Sequence, residues 1–194
     1  MSADPVLATP PSTRETLLDA ALERLTDVGW SSFSFGDLAK SVGIRTASIH
    51  YHFPTKGDLG VALVERFRQR SAACELELVA AHPHVNDRLR AIGRMIEEQS
   101  CGRMCPISAL QAEYTVLPEP MQRHVTAWVE QKLTSLTRWL EEGRAAGDLR
   151  FPGEAHMQAL LVWSVIEFGQ QLARTTPNTS FTSVIDHLVQ TMSP

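Results

Sequence analysis

Residues 34–59, SFGDLAKSVGIRTASIHYHFPTKGDL, read as two short helices joined by a tight turn, followed by the start of a third helix. Ser34 is a favourable N-cap residue, and Asp37 three positions later completes a cap-like pair. Gly43 follows an apolar stripe with helical spacing and is expected to end the first helix in a left-handed conformation. The second helix, about 45–51, is too short to be stable alone and therefore depends on its neighbours.

The outward face of this second helix is expected to be polar. It carries hydrogen-bond donors and acceptors at Arg45, Thr46, Ser48, His50 and Tyr51. A short polar helix held by a capped partner is the helix-turn-helix arrangement that enters a DNA major groove. The segment therefore predicts sequence-specific DNA binding.

The run from Leu38 to Leu59 resembles the helix-turn-helix signature of the TetR family of bacterial repressors. The matching positions are Gly43, Ala47, Ser48, Tyr51, His52, Phe53, Lys56 and Leu59, preceded by Arg14, Leu17, Ala20, Ala21, Leu25, Gly29 and Ser34. The resemblance covers about the first third of the chain. The sequence departs from the family at His50, where the family usually has a tyrosine.

The DNA contacts expected from the short polar helix and its flanks fall into two groups. Arg45, Thr46 and Ser48 are expected to approach base edges. Tyr51, His52 and Lys56 are expected to hold phosphates, with help from Ser34 at the start of the preceding helix. His50 lies on the same polar face, where it could contact either a phosphate or a base. Lys56 lies in the first turn of the next helix, where free backbone N–H groups favour a phosphate.

The rest of the chain predicts an all-α protein of about nine helices, because its apolar residues recur at helical spacing and show no strand alternation. Residues 1–12 contain three prolines and no periodicity, which predicts a disordered tail. Ser12 with Glu15 predicts a capping box for the first helix. We expect a DNA-binding head at 13–58 and an effector-binding and dimerisation body at 59–194.

The net charge of −4 is unusual for a DNA-binding protein, since residues 1–60 hold five Lys/Arg against seven Asp/Glu. Within 34–56, however, Lys40, Arg45 and Lys56 face only Asp37. This local excess predicts a small DNA footprint with strong salt dependence. The chain shows neither a signal segment nor a long apolar run, so the expectation is a cytoplasmic protein without a membrane partner.

The last two predicted helices, about 154–174 and 181–192, are strongly apolar, and the first is apolar over much of its circumference. They either fill the intrachain core or form a subunit interface. In the family that the head resembles, the corresponding helices form a four-helix bundle across a two-fold axis. A homodimer is therefore expected, with interface residues at or near Trp163, Phe168, Val184 and Leu188.

An effector site is expected in the body. Cys105, Glu113, Tyr114 and Trp128 are predicted to line a mostly apolar cavity with a few polar groups. The alternative interpretation is that Trp128 belongs to the core and that Glu113 is solvated. In either case the small molecule itself is not identified by the sequence.

The segment CGRMCP at 101–106 offers a second mode of control. Cys105 lies at a helix entrance, where backbone dipoles and nearby Arg103 are expected to lower the thiol pKa. The stretch beginning at Cys105 resembles a TetR subset in which some members sense electrophiles or oxidants through a cysteine placed here. The alternative is that Cys105 is a small buried apolar residue.

Enzyme motifs with phosphate-binding, dinucleotide-binding or nucleophile-elbow spacing do not occur in the sequence. His50 with His52 and His82 with His84 are not completed by cysteine or carboxylate clusters, so no metal and no cofactor is expected. The favoured function is a DNA-binding repressor released from a palindromic operator by a small molecule. A thiol-switched repressor and an enzyme with a helical catalytic body remain as alternatives.

Overall fold

The structure is a computed structural model that describes residues 12–100, 103–176 and 178–194, with the side chain of Ser100 outside the description. Every regular element in these ranges is helical, which confirms the all-α prediction. The expected tail falls almost wholly outside the described residues, as does Cys101. The elements are α1 Thr13–Val28, α2 Phe35–Val42, α3 Thr46–His52, α4 Lys56–Ala81, α5 Val85–Ser100, α6 Pro106–Ala112, a 3-10 turn Tyr114–Val116, α7 Glu119–Ala146, α8 Ala155–Thr175 and α9 Phe181–Met192.

Side-chain caps fix the helix starts in the first part of the chain. The Ser34 hydroxyl accepts from the Asp37 N–H at 3.3 Å, and the Asp37 carboxylate accepts from the Ser34 N–H at 2.9 Å. An equivalent reciprocal capping box opens α4. The box predicted at Ser12 is wrong in one half, because the Glu15 carboxylate pairs with Arg66 at 3.1 Å instead of turning back.

The first hydrophobic core joins the three N-terminal helices to the body. Its buried residues come from α1 to α4, α6 and the first half of α7, and include Leu17, Leu38, Ile49, Leu59, Ile107, Leu110, Met121 and Trp128. A Cβ atom at Gly60 would lie 2.3 Å from Met121 Sδ and 2.8 Å from the Trp30 ring, so α4 passes both without spare room. The core is therefore continuous across the expected head–body division at residue 58.

A second core lies between α5, the end of α7, α8 and α9. Its buried residues include Val85, Leu89, Leu136, Trp139, Leu140, Ala159, Val162, Ile166, Phe181, Ile185 and Val189. Trp163 on α8 packs against both cores. Trp163 therefore links the two cores.

Candidate DNA interface and effector site

The short helix α3 is anchored by a single buried side chain and presents the remainder outward. Ile49 is fully buried, whereas Thr46, Ser48 and the N-cap residue Arg45 are exposed. Gly43 ends α2 with φ 75° and ψ 31°, the left-handed conformation expected for the turn. The three residues expected to read bases therefore share one solvent-facing helix start.

The far end of α3 carries two histidines and a tyrosine with different surroundings. Tyr51 is 85% exposed, and its ring meets the His52 ring edge-on at 5.1 Å. His50 Nδ1 donates to the Pro54 carbonyl oxygen at 3.1 Å, since that oxygen can only accept. The His50 ring also meets Phe35 at 5.0 Å. His50 thus ties α3 to α2 and to the following turn.

Lys56 is turned into the protein and not toward solvent. Its ammonium donates to the carbonyl oxygens of Trp30 and Phe33, and lies 4.5 Å and 4.1 Å from their ring centroids. Burial lowers the pKa of Lys56, while the charges of Glu113 and Asp37 act in the opposite direction. The Lys56 ammonium is therefore bound to the 29–33 loop of its own chain and does not face solvent as the expected phosphate contact requires.

Two other polar side chains complete this picture of the head. The Ser34 hydroxyl is engaged in its capping box, where it also donates to Asp37 at 2.7 Å. Lys40 is exposed near the end of α2, so its ammonium is available to a ligand. Lys40 was absent from the expected contact set, although its basic side chain in the α2 sequence was the available signal.

The 29–33 loop is also held from the body. Glu113, the residue after α6, accepts from the Trp30 N–H at 2.6 Å and the Ser31 N–H at 2.9 Å. Burial disfavours the charged carboxyl, but these hydrogen bonds and nearby Lys56 hold the pKa of Glu113 below its usual value. Glu113 is thus committed to the head loop, a different place from the expected cavity lining. Tyr114 is partly exposed, and its hydroxyl lies 2.8 Å from Thr126 Oγ1.

The thiol of Cys105 has an environment opposite to the one expected. Burial, followed by the charge of Glu167, raises the pKa of Cys105 to about 11. Arg103, which was expected to favour the thiolate, pairs instead with Asp27 at 3.3 Å. The predicted lowering of this pKa is therefore wrong, because desolvation outweighs the helix dipole.

Trp128 lies in the first core, only 3% exposed. Its ring centroid is 5.5 Å from that of Phe67 on α4 and 5.5 Å from that of Trp163 on α8. The buried Nε1–H of Trp128 has no hydrogen-bond partner among the described residues. Trp163, expected at the subunit interface, makes this aromatic contact within its own chain.

Glu167, one helical turn after Trp163, was not among the expected site residues. The Ser108 hydroxyl on α6 donates to its carboxylate, and burial raises the pKa of Glu167. The described part of the chain places no Lys, Arg or His within ion-pairing distance of it. The signal in the sequence was a single acid between His156 and Arg174 in an otherwise uncharged run.

Another face of α8 is apolar and open to solvent. Its exposed side chains follow helical spacing and are Met157, Leu161, Phe168 and Leu172. Phe168, 62% exposed, belongs to this ridge, as the interface prediction requires of a residue free to contact a partner. Val184 is partly buried, and Leu188 packs against the second core.

Other kinds of site are poorly represented in the described residues. A cluster of three or more potential metal ligands is not found there, and none of the described helices is long and apolar enough to cross a membrane. Pockets of about 480 Å³ and 340 Å³ are lined by residues 173–176 and 178–180 and by residues of α1 and α4, respectively. Neither pocket includes Cys105 or Trp128.

An exposed recognition helix between two capped helices, on an all-helical body, defines a helix-turn-helix DNA-binding regulator. The family profile "Bacterial regulatory proteins, tetR family" matches residues 17–63, and "Tetracyclin repressor-like, C-terminal domain" matches residues 81–188. The chain therefore belongs to the TetR family of transcriptional regulators.

Individual relatives agree with this assignment. A TetR-family regulator from Agrobacterium tumefaciens is 30% identical with a TM-score of 0.89, over 93% of this chain and 97% of that one. The nucleoid occlusion factor SlmA of Marinobacter nauticus is 27% identical, over 72% of each chain. The repressor NemR of Escherichia coli is 28% identical over 79% of each chain. The crystal structure of its reduced form, at 23% identity over 94% of this chain and 98% of that one, has a TM-score of 0.82 and shows the same fold.

Proposed function

We propose that this regulator is a homodimeric repressor that binds a palindromic operator and leaves it when a small molecule binds its body. The observation that carries the proposal is α3, where Ile49 fixes the helix while Arg45, Thr46 and Ser48 remain exposed. Donors at the start of a recognition helix are suited to base edges in the major groove.

The phosphate contacts are assigned from exposure. Tyr51 and His52 are the last two residues of α3, and Lys40 lies near the end of α2. Ser34 is the N-cap of α2, and because its hydroxyl already donates to Asp37 it contributes by its position at that helix start. Lys56 supports DNA binding indirectly in this proposal, because its ammonium holds the 29–33 loop. Each phosphate neutralised by a cation releases counterions, so binding should weaken as salt rises.

The exposed ridge of α8 is proposed to pack against a second copy of the chain. Members of the family act as dimers, and large apolar side chains grouped on one helix face favour burial against a partner. A two-fold dimer presents two copies of α3 to two half-sites, which explains the expected palindrome.

The release step is proposed to pass through α6. This helix contacts the body through Ser108, which donates to Glu167, and contacts the head loop through Glu113 at its other end. A ligand that displaces α6 would therefore change how Glu113 holds Trp30 and Ser31. Release requires that the ligand bind this altered state better than the DNA-bound state.

The dimer and the operator are tested together with Leu161→Glu. Leu161 is 59% exposed in the single chain, so the substitution leaves each subunit folded but places an unpaired charge in the interface. We expect monomers in sedimentation and loss of binding to the palindrome that flanks the gene. Glu141→Gln, an exposed change on α7, is the matched control. Dimeric Leu161→Glu protein with full operator affinity would refute this interface.

A thiol switch at Cys105 is the second candidate, and similarity to NemR, solved in a form named as reduced, favours it. The raised pKa of Cys105 opposes it, because little thiolate exists at neutral pH. The deciding experiment treats the operator complex with diamide or N-ethylmaleimide. Release by the wild type but not by Cys105→Ser would support the switch, and equal behaviour of the two would reject it.

A further inference from the structure

Glu167 is a largely buried acid that has no ion-pair partner among the described residues. Its only described hydrogen bond comes from the neutral hydroxyl of Ser108 on α6. Moving a carboxylate out of water without an opposite charge is costly, so such a group either takes up a proton or awaits a cationic partner. The site is therefore electrostatically incomplete in the protein alone.

One aromatic side chain precedes this acid by a helical turn, and two further rings pack in series onto it. Trp163 is one helical turn from Glu167 on α8, and its ring meets Trp128, which in turn meets Phe67. The faces of such rings attract cations, and desolvation strengthens the attraction. The Lys132 ammonium lies 6.0 Å from the Trp128 ring centroid, but it pairs with Glu75 at 2.6 Å and not with Glu167. These aromatic residues also include an unsatisfied hydrogen-bond donor, because the Trp128 Nε1–H is buried without an acceptor among the described residues.

We propose that the cluster of Glu167, Trp163, Trp128 and Phe67 binds a small organic ammonium ion that also carries an oxygen acceptor. The ammonium is held by the Glu167 carboxylate and the ring faces, and the oxygen accepts from Trp128 Nε1–H. This inference rests on the proposed function, because it specifies the effector class at that site. A bare metal ion fits poorly, since only one carboxylate is present in the cluster.

The position of the cluster connects binding with control. Trp128 is almost fully buried, so a ligand reaches its N–H only when neighbouring side chains or α6 move. An ammonium at Glu167 also competes with the hydrogen bond from Ser108. Ser108 lies on α6, and Glu113, which holds the head loop, directly follows that helix. Ligand binding would therefore act on the element that holds the head loop.

The test uses choline and its uncharged isostere 3,3-dimethylbutan-1-ol, with binding to the dimer measured by calorimetry without DNA. Both probes carry a hydroxyl, so they differ only in charge. We expect choline to bind at least about tenfold more tightly than the alcohol, as for a buried charge pair. Equal affinities, or no heat from choline at millimolar concentration, would overturn the inference.

Two variants separate the roles of the acid and the indole. Glu167→Gln retains the size of the side chain and an oxygen that can accept from Ser108, but it removes the charge. It should therefore abolish the preference for choline over the alcohol, whereas the control Glu141→Gln should keep that preference. Trp128→Phe should make choline and tetramethylammonium bind alike, because the indole donor is lost. Wild-type choline affinity in Glu167→Gln protein of unchanged circular dichroism would overturn the assignment.

The operator complex is assayed separately by anisotropy. If choline binds through Glu167 but leaves operator affinity unchanged, the ammonium site stands and the proposed release mechanism fails. If the protein binds the operator and other small molecules release it, while calorimetry detects no choline binding, the proposed ligand class is wrong and the repressor proposal stands.

Discussion

The helices α3 and α6 have the same length, seven residues each, yet they are used in opposite ways. Within the described structure neither has a side-chain hydrogen bond at its N-cap. Only Ile49 is buried in α3, whereas α6 buries Ile107, Ser108, Ala109 and Leu110. Equal helices thus become a solvent-facing reader and an internal connector.

The two helices are stabilised by different means. The reader α3 lies between the capping boxes of α2 and α4, which fix the helices on either side of it. The connector α6 is held by burial in the first core. Changes on the exposed face of α3 should therefore alter DNA binding at nearly constant stability, whereas changes to the buried side chains of α6 should lower stability itself.

The largest expected effect is from Leu110→Ala in α6. This side chain is almost fully buried, so its truncation should lower the free energy of unfolding by about 2–5 kcal/mol. Urea denaturation measures the change. Ser48→Ala, on the exposed face of α3, should stay within about 0.5 kcal/mol of wild type. Similar losses in the two proteins would remove the distinction between the helices.

Next in size is Arg45→Ala at the start of α3. If Arg45 contacts a guanine, operator affinity should fall by about 1–3 kcal/mol and discrimination at that base should relax. Lys40→Ala should instead weaken all sequences equally and reduce the salt slope by about one. Anisotropy titrations over a salt series compare the two, and an unchanged base preference in Arg45→Ala would contradict the assignment.

A smaller effect is expected from Lys56→Met, which retains much of the stem but removes the ammonium. Loss of its contacts with the loop carbonyls and rings should cost about 1–2 kcal/mol of stability and weaken operator binding with it. Lys40→Met is the matched control and should change operator binding alone. If Lys56→Met weakens operator binding but leaves stability unchanged, Lys56 contacts a DNA phosphate directly, and its proposed indirect role is wrong.

The smallest effect, about 1 kcal/mol at neutral pH, is expected from Glu113→Gln, which weakens the hold of α6 on the loop. The folded-state pKa of Glu113 is lowered, so its contribution is present above the unfolded pKa and is lost as pH falls through the folded value. Urea denaturation across acidic pH should show the wild type and the variant converging. A constant difference at all pH values would contradict this linkage.

The sequence alone determined the features that depend on neighbouring residues. Ser34 with Asp37, Gly43 in the turn and the short α3 are local, because caps, left-handed turns and helical periodicity act within a few positions. The polar face of α3 followed from the same spacing. The helix-turn-helix head and the all-α class were therefore predictable from the sequence.

Tertiary structure alone decided which distant residues the polar side chains contact. Lys56 meets Trp30 from 26 positions away, Glu113 meets it from 83, and Ser108 meets Glu167 from 59. Burial of Cys105 reversed the direction expected for its pKa. Spacing along the chain does not encode such contacts or the desolvation they cause, because both depend on which helix faces pack together.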